Sequence, residues 1–302
     1  MNLLDLESLP RTEIERYLDV AEAMLEISQR EIKRVPTLRG KTIVNLFLEP
    51  STRTRVSFEI AAKRLSADAI HVSEAGSSLS KSETLSDMVA NLAAMHADAL
   101  VVRHRVAGVP SMLAQRVDVP VVNAGDGAHA HPTQALLDAF TVRQAFGSLE
   151  GRVVAIVGDV THSRVARSDI QIFRKLGAEV RVAGPPTLLP RHLEALDVKP
   201  CGTPDAACEG ADVICMLRIQ RERLEGSLFP SIREYAARFG LDRERLARAR
   251  PDAIVLHPGP INRGIEIASD VADAERSRIL DQVTNGVAVR MAVLYLVTGE
   301  TE

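Results

Sequence analysis

Tryptophan is absent from this 302-residue chain, and aromatic residues of all kinds make up 3% of it. Base-stacking platforms and aromatic cages are built from such rings, so neither chemistry is expected here. Cysteine is nearly as scarce. Cys201, Cys208 and Cys215 are an odd number with no CxxC pair, which excludes a disulfide framework and a cysteine-based metal site and points to a reduced, cytoplasmic setting. A basic excess is also missing: 37 Lys and Arg stand against 40 Asp and Glu, a formal charge of -3. Nucleic acid and anionic membrane select cationic surfaces, so neither is expected as a partner. No long apolar run occurs. The strongest, residues 287–297, contains Arg290 and falls short of the roughly 20 residues a membrane helix needs. The opening residues Met1 to Asp5 lack the basic-then-apolar pattern of a signal peptide, and none is expected.

What is present is an ordinary globular composition, 46% apolar and 25% charged, whose core must come from Val, Leu, Ile and Ala, the usual filling of helix-covered parallel sheets. Short β-branched runs alternate with amphipathic segments, predicting an α/β fold of two domains, each a mainly parallel sheet flanked by helices. Strands are predicted at Thr42 to Leu48, Ala69 to Ser73, Ala99 to Arg103 and Val119 to Asn123, then at Val153 to Val157, Glu179 to Ala183, Asp212 to Met216 and Ala253 to Leu256. Leu85, Met88, Leu92 and Met95 form an apolar stripe at helical spacing. The domains are placed at 1–132 and 148–284, joined by a helix over 133–147. A C-terminal helix at 285–302 is expected to pack back on the first domain; its core from about Thr284 to Val297 is apolar on nearly every side, so it must be covered by other elements and can bridge both domains. No internal repeat is read. Residues 218–231 lack clean periodicity, as functional loops often do.

The densest chemistry follows the first strand. Ser51-Thr52-Arg53-Thr54-Arg55 sits at a strand-to-helix turn, where outward backbone N–H groups and the positive helix end suit a phosphate dianion and guanidinium forks match its oxygens. The plainer reading makes Ser51 a helix cap and leaves the arginines solvated. Five polar groups in succession favour the phosphate. The turn is neither a P-loop nor a GxGxxG dinucleotide turn, and no cofactor is expected. His129 and His131 form an HxH pair, but without a nearby carboxylate or Cys to complete a ligand set no metal is expected either.

FLEPSTRTRVSFE at residues 47–59 closely resembles the carbamoyl-phosphate signature of the aspartate and ornithine carbamoyltransferases. SKSET at 80–84, VVRH at 101–104 and HPTQ at 131–134 resemble the family's other landmarks in the same order, so the resemblance covers almost the whole chain. It implies that Ser51, Thr52, Arg53 and Thr54 hold the phosphate of carbamoyl phosphate and that Thr54, Arg103 and His131 are catalytic, aimed at its carbonyl oxygen. Gln134 and the turn Pro258-Gly259-Pro260 would orient the carbamoyl amide.

The acceptor is read from charge, since a dicarboxylate amine asks for cations and a diamino acid for an anion. Arg164 in GDVTHSR and Arg218 in MLRIQRER, with Gln220, resemble the aspartate-binding groups of the family's aspartate branch. HPGP at 257–260 also resembles that branch, and the HCLP and SMG motifs of the ornithine branch do not occur. The plainer reading of the two arginines is exposed loop cations in surface pairs; that of His257 is a hydrogen-bonded structural histidine. The resemblance thus implies carbamoyl transfer to L-aspartate, the alternatives being another acceptor such as ornithine or a catalytically silent scaffold or sensor. It further implies a homotrimer in which Lys81, on a polar loop, reaches the neighbouring subunit's acceptor site. Ser82 stands where the family often has glycine. The family's assemblies leave room for a regulatory chain or a dihydroorotase-type partner on that trimer.

Overall fold

The structure, a computed structural model, describes residues 1–74, 83–219 and 231–299. Two units emerge, one formed by Met1–Leu137 with Thr284–Glu302 and the other by Asp138–Val283. The first therefore contains both ends of the chain.

In the first unit the described elements are α1 (Arg11–Gln29), β1 (Thr42–Phe47), α2 (Thr52–Arg64), β2 (Asp68–Ser73), α3 (Leu85–Ala94), β3 (Ala99–His104), α4 (Val109–Ala114), β4 (Val121–Asp126) and the start of α5 (Pro132–Phe146). Its four strands run parallel in the order β2-β1-β3-β4. Central strands with helices on both faces read as continuous apolar runs, and β1 and β3 do: Val44, Leu46, Leu100 and Val102 join Met88, Val89 and Leu113 in one buried cluster. The free edge of β4 is met by Leu3, whose N–H donates to Val121 and whose carbonyl accepts from Asn123, which covers ladder groups otherwise open to another chain.

The second unit continues with β5 (Val153–Val157), α6 (Arg164–Lys175), β6 (Glu179–Ala183), β7 (Lys199–Pro200), α7 (Pro204–Cys208), β8 (Val213–Met216), α8 (Ile232–Phe239), α9 (Arg243–Leu246), β9 (Ile254–Leu256), α10 (Ser269–Ala272) and the first turn of α11 (Ile279–Thr298). Its sheet is parallel, in the order β7-β6-β5-β8-β9. All eight strands expected from the sequence are present; β7, two residues long, was not foreseen.

The division between units falls inside α5 and inside α11. The latter starts at Ile279, five residues before the predicted Thr284. Within the first unit Arg290 of α11 donates to Ser57 at 3.0 Å and lies over the Phe58 ring at 5.3 Å, while Ala288, Val289, Met291 and Leu294 are buried. The α3 stripe departs from expectation. Met88 is buried, but Met95 is 74% exposed, and Val72, Met88, Leu92 and Met95 line an open groove of about 430 Å³. A stripe at helical spacing predicts a covered face, and in the single chain this one is covered only at its start.

Candidate active site

Strand order decides where the functional residues gather. In an open α/β sheet, crossovers that leave in opposite directions open a crevice at the carboxyl ends of the diverging strands. The first sheet diverges between β1 and β3, which lead to opposite sides, and the second between β5 and β8. The Ser51 turn follows β1 and Arg103 lies near the end of β3; Arg164 follows β5 and Arg218 follows β8. Each unit thus carries a set of sequence-singled residues at its own switch point.

In the first unit the register pairs Phe47 with Arg103, and Leu48 N–H donates to the Arg103 carbonyl, bringing the Ser51 turn beside the arginine. Ser51 occupies the N-cap of α2 with an extended backbone, yet its side chain makes no capping hydrogen bond, and no acidic residue occupies the first turn. Thr84, Ser163, Thr203, Ser231 and Asp242 all cap their helices through the side chain, so the plainer reading of Ser51 does not describe this turn. An anion here meets first-turn N–H groups and the positive helix end together. Thr52 and Arg53 are exposed and Thr54 is buried. The Arg103 guanidinium is held in place by Nη1 donating to the Ala124 carbonyl at 3.2 Å and by Glu49, whose Oε1 is 3.6 Å from Nη2.

His131 and Gln134 are buried at the start of α5. The His131 carbonyl accepts from the N–H groups of Gln134 and Ala135, and Pro132 begins the helix, where a missing N–H costs nothing. The approach to His131 is fixed by Asp126, which is 1% exposed. Its carboxylate accepts from Gly108 N–H, Asn123 Nδ2, Ala130 N–H and His129 Nδ1. A carboxylate does therefore stand beside the HxH pair, contrary to the sequence expectation; it holds His129 at 3.0 Å as part of this loop. Among the described residues no three His, Cys, Asp or Glu side chains are grouped to hold a metal.

The second unit repeats the device. Asp159, also 1% exposed, accepts from His162 N–H at 3.1 Å and His162 Nδ1 at 2.9 Å. Ser163 caps α6, and Arg164, its first residue, is 5% exposed, which removes the surface-pair reading for that arginine. Arg218 is half-buried. The sequence holds the signal for both brackets: Gly-Asp-x-x-His occurs at 125–129 and at 158–162, just ahead of His131 and Arg164, a short recurrence where no internal repeat was expected.

The turn after β9 has a buried scaffold. His257 Nδ1 accepts from Gly259 N–H at 2.8 Å, so the ring proton is on Nε2, which donates to Glu266 Oε1 at 3.1 Å. Both side chains are fully buried. Glu266 also accepts from Asn262 N–H and Asn262 Nδ2, and Nδ2 donates in turn to the Ile219 carbonyl, next to Arg218. His257 is thus the structural histidine of the plainer reading. Gly259 has φ +62°, a left-handed conformation that favours glycine, and Pro258 and Gly259 stay half-exposed. Glu49, Asp126, Asp159 and Glu266 all escaped the sequence reading. Lys81 and Gln220 lie outside the described residues.

Residues 1–144 match the family described as aspartate/ornithine carbamoyltransferase, carbamoyl-P binding domain, and residues 150–297 match its Asp/Orn binding domain. The chain is 58% identical over 298 residues to an aspartate carbamoyltransferase catalytic subunit of Desulforapulum autotrophicum, covering 99% of this chain and 96% of that one. It is equally similar, over 299 residues and with the same coverage, to that of Geobacter sulfurreducens. Among solved structures, aspartate transcarbamoylase from Trypanosoma cruzi in complex with carbamoyl phosphate superposes with a TM-score of 0.90 at 28% identity, covering 97% of this chain and 94% of that one. Ornithine carbamoyltransferase from Pyrococcus furiosus gives 0.88 at 31% identity, covering 100% and 98%.

Proposed function

The chain belongs to the aspartate/ornithine carbamoyltransferase family, and we infer from that membership how its own residues work. It is an enzyme that transfers the carbamoyl group of carbamoyl phosphate to the amine of L-aspartate, giving N-carbamoyl-L-aspartate and phosphate, an early step of de novo pyrimidine biosynthesis. The observation that carries aspartate over ornithine is 58% identity along 99% of the chain to aspartate carbamoyltransferase catalytic subunits. The two Trypanosoma cruzi complexes with carbamoyl phosphate and with N-(phosphonacetyl)-L-aspartic acid name the ligands that the half-sites suit.

In the assignment of roles, the uncapped first turn of α2 with Ser51, Thr52, Arg53 and Thr54 receives the phosphate. Thr54, Arg103 and His131 face the carbonyl oxygen, where donors aimed at developing negative charge contribute most; the Glu49 and Ala124 contacts of Arg103 and the Asp126 bracket before His131 support that preorganisation. Gln134 and the carbonyls of the Pro258–Pro260 turn orient the carbamoyl amide. Arg164, Arg218 and Gln220 hold the acceptor's carboxylates. The uncharged amine attacks the carbonyl carbon, a tetrahedral oxyanion forms, and the C–O bond to phosphate breaks with both electrons leaving on the phosphate, which also takes the proton that the attacking nitrogen gives up. The reactants supply nucleophile and leaving group, so positioning carries much of the rate, on the order of 7–11 kcal/mol in well-oriented reactions.

The decisive assay offers carbamoyl phosphate with either aspartate or ornithine to the purified protein and follows phosphate release. Release is expected with aspartate alone. Turnover that follows ornithine would reassign the acceptor, and binding of carbamoyl phosphate without aspartate-dependent release would make the protein a silent relative.

The exposed groove beside β2 and α3, lined by Val72, Leu92 and the exposed Met95, supports the reading of the chain as one subunit of a homotrimer with Lys81 donated to a neighbour's site. Mixing Lys81→Ala with His131→Ala chains should restore activity by recreating sites with both residues; verified mixed trimers that stay inactive would refute the sharing. Three free thiols, two of them buried, support a cytoplasmic location, and no described helix is long and apolar enough to cross a membrane.

A further inference from the structure

One buried side chain with no part in the assigned chemistry joins three elements of the second unit. Gln282, near the start of α11, is 3% exposed. Its Nε2 lies 2.6 Å from Oδ1 of Asp138 on α5, also buried, and its Oε1 lies 2.9 Å from the backbone nitrogen of His257. A backbone N–H only donates, so the amide oxygen accepts it and the amide nitrogen donates to Asp138. The direction of both bonds is thereby settled.

His257 is the first residue past β9. The ladder between β8 and β9 ends at Leu256, so the His257 N–H has passed beyond the strand pairing and takes its acceptor from a helix instead. The His257 ring makes two more bonds, accepting from Gly259 N–H at Nδ1 and donating to Glu266 from Nε2. Gly259 and Glu266 both belong to the stretch between β9 and α10, so these two bonds shape the turn from within. Of the three, the Gln282 bond is the one that ties the root of the turn to other elements. An amide is suited to this place because it offers an acceptor to His257 and a donor to Asp138 at once.

We propose that Gln282 is a positioning residue that fixes where the Pro258–Pro260 turn stands, with Asp138 as the group that orients Gln282. The effect on substrate rests on the assignment of the turn's carbonyls to the carbamoyl amide; the grip on the turn does not.

The test reads the turn first without and then with substrate. Gln282→Met has the length of glutamine but no amide. In hydrogen–deuterium exchange of the intact enzyme, the segment 257–262 of this variant should exchange roughly tenfold faster, as loss of a buried partner implies, while β5 and β8 stay protected. The same variant should raise the KM for carbamoyl phosphate roughly tenfold to a hundredfold, as a small misplacement does, with kcat changing less. Inhibition by inorganic phosphate should stay unchanged, because it reads only the Ser51 turn. Asp138→Asn combined with Gln282→Glu reverses the donor and keeps an oxygen for His257, and should return both readings toward wild type. Unchanged exchange in Gln282→Met overturns the grip on the turn. Faster exchange with an unchanged KM, or phosphate inhibition weakened in step with carbamoyl phosphate, overturns the positioning role, as does a reversed pair that folds but recovers neither reading. If Gln282→Met does not fold, Gln282→Asn, an amide one methylene too short to span both partners, decides both arms. A wild-type enzyme without aspartate-dependent turnover would sink the functional assignment and leave the exchange arm standing.

Discussion

Asp169 illustrates what burial does to a single carboxyl. Its carboxyl is held above the ordinary range chiefly by desolvation and next by the charge of Asp138. An acid that titrates higher folded than unfolded must take up a proton on folding once pH passes the unfolded value of about 3.9, and stability then falls as pH rises until the folded group itself ionises. Asp169→Asn removes that slope. Its stability relative to wild type should therefore improve with pH above about 4, by up to about 1.4 kcal/mol per unit, in urea melts at pH 5, 6 and 7. A difference that does not change with pH would show that Asp169 is ionised in the folded protein. None of this was legible in the sequence, because Asp138 and Asp169 lie 31 positions apart on two different helices and only the fold brings them together. By contrast the positions of Arg53 and Thr54 in the first turn of α2 and of Arg103 near the end of β3 were readable, since each depends on a local turn or on a strand that its composition marks.

At the level of elements, legibility follows how local the cause is. Strands buried on both faces announce themselves as apolar runs, so eight were found; β7 is too short to carry a pattern and owes its pairing to Arg181 and Val182 of β6. The start of α11 was missed because Leu280 and Val283 are 80% and 52% exposed there, so the run of apolar residues that marks the rest of the helix begins later. The stripe of α3 was seen but not its exposure, which depends on what else packs nearby. The loop after β5 yields a prediction of its own. Gly184, just after β6, lies so close to the backbone of Gly158 that an added Cβ would overlap the Gly158 carbonyl oxygen. Gly184→Ala should displace the Gly158–Ser163 loop, cost about 1–3 kcal/mol of stability and weaken aspartate more than carbamoyl phosphate, measured by thermal melting and by separate KM values. Equal effects on both substrates would mean that the loop does not govern Arg164.

The molecule as a whole is closed by its last helix. Val289, Met291, Val293, Leu294 and Val297 are all buried, each worth about 1.5–3 kcal/mol of apolar burial, against a typical domain stability of about 5–15 kcal/mol. A chain ending at residue 283 should therefore lack a cooperatively folded first unit while the second retains its sheet, visible as a partial circular-dichroism signal with one melting transition. A truncated protein with both transitions intact would show that the helix is dispensable. The arrangement also sets an order of assembly during translation. The second unit is one uninterrupted stretch and can finish as soon as residue 283 emerges, whereas the first, although made earlier, waits for Thr284 onward. At roughly 5–20 residues per second, the nascent sheet of β1 to β4 stays incomplete for on the order of ten seconds, the interval in which a ribosome-bound chaperone would find it.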